Sequence, residues 1–264
     1  MDFSTETRTT PLTGTQSHGE TAIQQGSERG VAHPWRVFAI GAALVLGAFA
    51  LLTLPAATVD TLVKEDGPIE WVGAVGLFAG SFLFFSAFFV ARRRGAATGL
   101  TRIGIVVLAL MGIGLFFAGG EEISWGQRLL GFGDPAGFSA VNAQDETNLH
   151  NLNVFQGTLI DGDRLFKFGY LTLFVLLPAL TWISARARRR LDGLVPIAPP
   201  WLALLFLLAW VAADVANNTL SGAYSSIYPL SHSVSEVQES CVEVMAGIMG
   251  YLALRRARGA SKPS

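Results

Sequence analysis

Residues 70–92 read EWVGAVGLFAGSFLFFSAFFVAR, with 21 uncharged residues enclosed between Glu70 and Arg92. A helix rises about 1.5 Å per residue, so about 20 apolar residues cross the hydrocarbon core of a bilayer. Similar runs recur on either side. Arg36 to Asp60 encloses 23 uncharged residues, Arg102 to Glu121 encloses 18, and Lys167 to Arg186 another 18. A fifth apolar stretch starts at Trp201, after Pro199-Pro200, and continues past Asp214. A sixth covers Val244 to Leu254 and reaches span length if it is extended back through Cys241 to about Val234. The pattern predicts an all-α, polytopic membrane helical bundle with six transmembrane helices.

Composition points the same way. Only 15% of the residues are charged and the mean hydropathy is +0.44, whereas soluble domains carry about 25% charged residues. The single cysteine, Cys241, excludes an intramolecular disulfide and reads as a small buried hydrophobe. Residues 1–32 are rich in Thr, Gly, Gln, Ser and Glu, a composition expected to stay disordered as a cytoplasmic tail. A cleaved signal peptide is not expected, because the first apolar run begins only after Arg36 and runs too long. The membrane domain is placed at 33–257, with a long outer loop at 120–166 and a short cytoplasmic tail at 258–264.

The sign of the flanking charges is a separate check, since the spans were drawn from the absence of charge alone. Of 19 basic residues, 15 lie before the first span, between spans two and three, after span four or after span six. Lys64, Arg128, Arg164 and Lys167 fall in the opposite loops, together with 15 of the 20 acidic residues. Positive charge is retained on the cytoplasmic side. Both termini are therefore expected in the cytoplasm, with the chain in a bacterial plasma membrane as a multi-pass protein. Because the arginines serve topology, the lipid bilayer is the expected partner and nucleic acid is not.

Polar groups gather on the outer side. Glu236, Glu239 and Glu243 fall within roughly 60° of helical arc, and His232 joins that stripe if the helix starts early enough. Glu243 lies deep, where an unpaired charge costs on the order of 2.5–3.5 kcal/mol, so it is expected to be protonated or paired. Glu236 has a blander alternative, a capping box with Ser233. The third span ends in Gly120-Glu121-Glu122-Ile123-Ser124-Trp125-Gly126-Gln127-Arg128. If its helix continues, Glu121, Ser124 and Arg128 share a face. Adjacent carboxylates cannot both point one way, so at most one of Glu121 and Glu122 is expected to enter a site directly. Arg128 could clamp a phosphate or carboxylate, or simply neutralise the acids. Trp125 suits the aromatic belt.

Farther on, Glu146 and His150 stand four residues apart, and His232 and Glu236 repeat that spacing in reverse. Two His and several Glu are the ligand inventory of a carboxylate-bridged di-metal site, although the Glu-x-x-His spacing of ferritin-like bundles is missing. Asn142, Gln144, Asn148 and Asn151, with Gln127, offer hydrogen bonds to a headgroup or polyol, or else satisfy loop backbone. Glu70 follows Gly67-Pro68 and suits a helix start, where the dipole favours an acid. Asp214 lies inside the fifth span and is a functional candidate by that placement, with structural pairing as the alternative.

The string at 120–128, followed by Asn142-x-Gln144-x-Glu146-x-Asn148-Leu149-His150-Asn151, resembles a family of uncharacterised bacterial multi-span membrane proteins. Asp66-Gly67-x-x-Glu70 and the Glu-rich start of the last helix extend the likeness over roughly residues 60–250. The resemblance implies a shared site and names no reaction. The alkaline ceramidase-like membrane hydrolases also gather metal ligands at one membrane face, with three His, a Ser and an Asp. Here only His150 and His232 lie on the correct side, so that set cannot be assembled.

These residues define a leading expectation: a metal-dependent enzyme acting on a lipid or lipid-linked substrate. Glu121, Glu122, Arg128 and Glu243 would be catalytic, and Glu146, His150, His232, Glu236 and Glu239 would hold a divalent Zn, Fe or Mn ion. Glu70, Trp125, Gln127, Asn142, Gln144, Asn148, Asn151 and Asp214 would bind the substrate. A non-catalytic assembly or binding protein and an ion-coupled transporter are the alternatives. No nucleophile elbow, phosphate loop, dinucleotide fingerprint or CxxC is present to narrow the chemistry.

Overall fold

The computed structural model describes residues 34–131, 162–220 and 227–259. The described residues form helices and short connections. In chain order these are α1 (Pro34–Ala50), α2 (Ala56–Val63), α3 (Pro68–Arg94), α4 (Arg102–Glu122), α5 (Gly162–Leu171), α6 (Leu177–Ile183), α7 (Ala185–Leu191), α8 (Pro200–Thr219) and α9 (Leu230–Arg258). Prolines and glycines set the boundaries. Pro68 occupies the first turn of α3 behind Gly67, and Pro199-Pro200 opens α8. A proline there gives up only an N–H that the helix would leave unpaired.

Among the described residues four helical stretches are long and apolar enough to cross a membrane: Pro34–Thr53, Ala56–Thr98, Arg102–Glu122 and Pro200–Thr219. The other two expected spans differ for physical reasons. The run after Lys167 is a shorter apolar stretch, Lys167–Ile183, interrupted by a π-helical turn at Thr172–Leu176. Helix α9 has ample length at 29 residues but carries Glu236, Glu239 and Glu243, which lower its apolarity. It also begins earlier than the apolar pattern suggests, at Leu230.

The strongest packing joins α3 to α9, and glycine makes it possible. A Cβ on Gly80 would lie 2.9 Å from the Gly247 Cα, and one on Gly247 would lie 2.7 Å from the Gly76 carbonyl oxygen. One on Gly250 would lie 2.7 Å from the Gly80 carbonyl oxygen. Two helices approach this closely only where small residues face each other. The pairings run in the same order on both helices, Gly73 beside Ser240, Gly76 beside Val244 and Gly80 beside Gly247, so α3 and α9 are parallel. Helix α4 packs antiparallel on α3, with Gly119 against the Phe78 ring and Gly112 against the Phe85 ring. The buried Ser81 hydroxyl donates to the Gly112 carbonyl at 2.7 Å and pins that crossing.

Around this core the bundle turns apolar side chains outward. Leu44, Phe82, Ile103, Val211 and Ile183 are all well exposed. A lipid-facing surface accounts for such a patch, which is unusual on a soluble monomer.

The two ends of the bundle differ in charge. At one end Arg94 donates to the Ala257 carbonyl, Arg256 pairs with Asp192, and Thr101 donates through its amide to the Gly193 carbonyl at 3.0 Å. At the other end the Ile227 amide donates to Asp60 at 3.2 Å, which ties the start of the last helix to α2.

Candidate functional site

The site is built where the first halves of α3 and α9 meet the end of α4. Glu243 is buried, with 5% exposure. A Cβ on Gly73 would overlap its Oε2 atom, so the carboxyl occupies the space that a side chain on α3 would fill. Glu243 and Glu122, from α9 and α4, lie close enough to each other to interact.

Other groups lie around that pair. Glu236 and Glu239 are within electrostatic reach of Glu243, and Glu65 and Glu70 reach Glu236 from the α2–α3 connection. Ser235 donates to Glu239 at 2.8 Å. Tyr170 of α5 lies within reach of Glu243, Glu122 and Glu239. Sequence reasoning passed over Tyr170, because a tyrosine in an apolar run reads as core or interfacial packing.

The adjacent acids Glu121 and Glu122 part company. Glu121 is buried and accepts from the Trp125 indole N–H at 2.6 Å, while Glu122 turns to Glu243. The expectation that α4 continues to Arg128 is corrected. The helix ends at Glu122, and Ser124, Trp125 and Gly126 all take positive φ, at 46°, 53° and 77°. Three left-handed residues in succession redirect the chain, so Glu121, Ser124 and Arg128 do not share a helix face. The turn folds the Trp125 ring back over Gly120, where a Cβ would lie 2.9 Å from it, and against Phe117 at 5.3 Å between ring centres. Gln127 is half-buried in the single helical turn Gln127–Leu130 that follows.

The Ser233–Glu236 capping box is also corrected. Because α9 starts at Leu230 behind Pro229, Ser233 lies inside the helix, and its fully buried hydroxyl has no hydrogen-bond partner among the described residues. The early start does bring His232 onto the same helix as the acids. Its Nδ1 lies 3.6 Å from Glu236, too long for a hydrogen bond. Its ring stacks on Tyr228 at 4.8 Å, and its Nε2 is buried without a partner.

Glu70 accepts from the Asp66 amide at 2.6 Å and closes the start of α3. Asp214 does not join the cluster. Helix α8 buries Ala209, Ala213 and Ala216 and leaves Asp214 exposed, near enough to the helix end to reach water. Glu146, His150, Asn142, Gln144, Asn148 and Asn151 lie outside the described residues, as does the Arg128 side chain.

Among the described residues no three His, Cys, Asp or Glu side chains converge closely enough to hold a metal ion. No protein-family model, curated protein or solved structure matches this chain.

Proposed function

We propose that the chain crosses a bacterial plasma membrane six times with both termini cytoplasmic, and that the acidic recess at its outer end binds a cation. The observation that carries this reading is the Glu122–Glu243 contact, made in space that Gly73 leaves open. Carboxyl groups from separate helices meet at a buried position with further acids around them. Such a group of acids persists only when protons or a cation neutralise it.

A divalent Zn, Fe or Mn ion is the occupant that would lead to chemistry on a lipid or lipid-linked substrate. Glu146 and His150 would then have to complete a donor set begun by Glu239, Glu236 and His232. The purified wild-type protein should contain about one metal ion per chain by elemental analysis, and Glu243→Gln should lose most of it. A wild-type protein free of metal, also after reconstitution with each of the three ions, would remove the metal-dependent enzyme.

The second reading is a non-catalytic binding or assembly protein, in which the buried acids are kept neutral. A carrier is supported less. Toward the basic end of the α3–α9 seam, glycine faces glycine and leaves no polar route between the two helices.

A further inference from the structure

Buried polar atoms without partners gather near the start of the last helix. Among the described residues four buried side-chain atoms make no hydrogen bond, and three of them are Asp60 Oδ1, His232 Nε2 and Ser233 Oγ. The fourth belongs to Thr172, in the π turn. Asp60 is 9% exposed and Ser233 is 0% exposed, so bulk water serves neither. Orphaned atoms grouped in this way mark a place that an ion or an ordered water completes.

Two observations bring Asp60 and Ser233 to one seam. The Ile227 amide donates to Asp60 Oδ2 at 3.2 Å, only three residues before α9 begins at Leu230. Ser233 lies seven residues before Ser240, so the two share a flank of α9, about 10 Å apart along its axis. Ser240 faces Gly73 of α3. Because α3 begins at Pro68, five residues before Gly73, Ser233 lies level with the α2–α3 corner. That corner follows the end of α2, which packs against α9 and whose buried residues are Val59, Asp60 and Val63.

We propose that Asp60 Oδ1 and Ser233 Oγ hold a sodium ion in the seam between α2 and the first turns of α9. Both donors are hard oxygens, which suit a hard cation. Asp60 has no ion-pair partner among the described residues. A bridging water would meet its geometry but leave its charge uncompensated. One carboxylate balances one positive charge. A divalent ion would call for a richer set of acids, and among the described residues no three converge. Asp60 also stands in the last turn of α2, where the carbonyl end of a helix favours a cation. This site shares no ligand with the Glu122–Glu243 recess and stands without it.

The test melts full-length protein in detergent while NaCl replaces choline chloride at constant ionic strength. Sodium should raise the melting temperature along a saturable curve. Asp60→Asn keeps an acceptor for the Ile227 amide, so it should fold, but the sodium-dependent rise should disappear. Ser233→Ala leaves every carboxylate in place and should weaken sodium binding about tenfold, as for the loss of one hydrogen bond to a charged group. Glu243→Gln should keep the rise. A melting temperature indifferent to sodium overturns the proposal and leaves the orphaned atoms to a bridging water. So does a rise that survives Asp60→Asn and is lost in Glu243→Gln, which would move the ion to the recess. A saturable rise with millimolar MgCl2 in place of NaCl would overturn the monovalent assignment.

Discussion

The outer and inner halves of the α3–α9 seam use the same residue for opposite ends. Toward the basic end, Gly76, Gly80, Gly247 and Gly250 let two backbones touch, and the missing side chains become direct contact. Near the acidic end, Gly73 also lacks a side chain, yet the space is taken by the Glu243 carboxyl. One half is therefore a tight structural joint and the other a recess for a polar group. Glycine in a membrane helix cannot be interpreted without knowing what fills the space it leaves.

The sharpest way to break this contrast is to add bulk in the inner half. Gly247→Leu must force the backbones apart and should destabilise the protein by about 3 kcal/mol, measured by unfolding in mixed detergents. An unchanged midpoint would mean that the joint does not hold the bundle together. A smaller effect should distinguish the outer half. Gly73→Ala should cost about 2 kcal/mol in the wild type, and most of that should vanish in a Glu243→Ala background. Additive losses would show that the Gly73 space does not serve the carboxyl. The smallest effect lies on the other flank of α3. Ser81→Ala removes one interhelical hydrogen bond and should cost about 0.6 kcal/mol, with no change in metal content.

The all-helical fold and four apolar stretches of membrane length were legible in the sequence, because charge-free runs are what a bilayer imposes. The other two expected spans are not apolar stretches of that length among the described residues, one being short and interrupted by the π turn at Thr172–Leu176 and the other carrying three glutamates. The site was legible in part. The three glutamates of α9 could be placed on one stripe by periodicity, but nothing in the sequence says that Gly73 is the residue making room for one of them. Which of Glu121 and Glu122 turns inward depends on the reversal at Ser124–Gly126. Positive φ at a serine and a tryptophan has no sequence signature, and Gly126 was the single hint of it. Asp214 misled because its depth was counted along the helix, while the face it occupies depends on how α8 packs.

The pairing of α3 with α9 also has a consequence in time. Residues 95–229, roughly 135 of them, separate the two helices, so at ordinary translation rates α3 waits on the order of ten seconds for its partner to emerge. Throughout that interval its glycine-lined flank and the glutamate at the end of α4 must be shielded by something other than their final neighbour. Ribosome-arrested chains ending before α9 would hold the bundle in that half-made state.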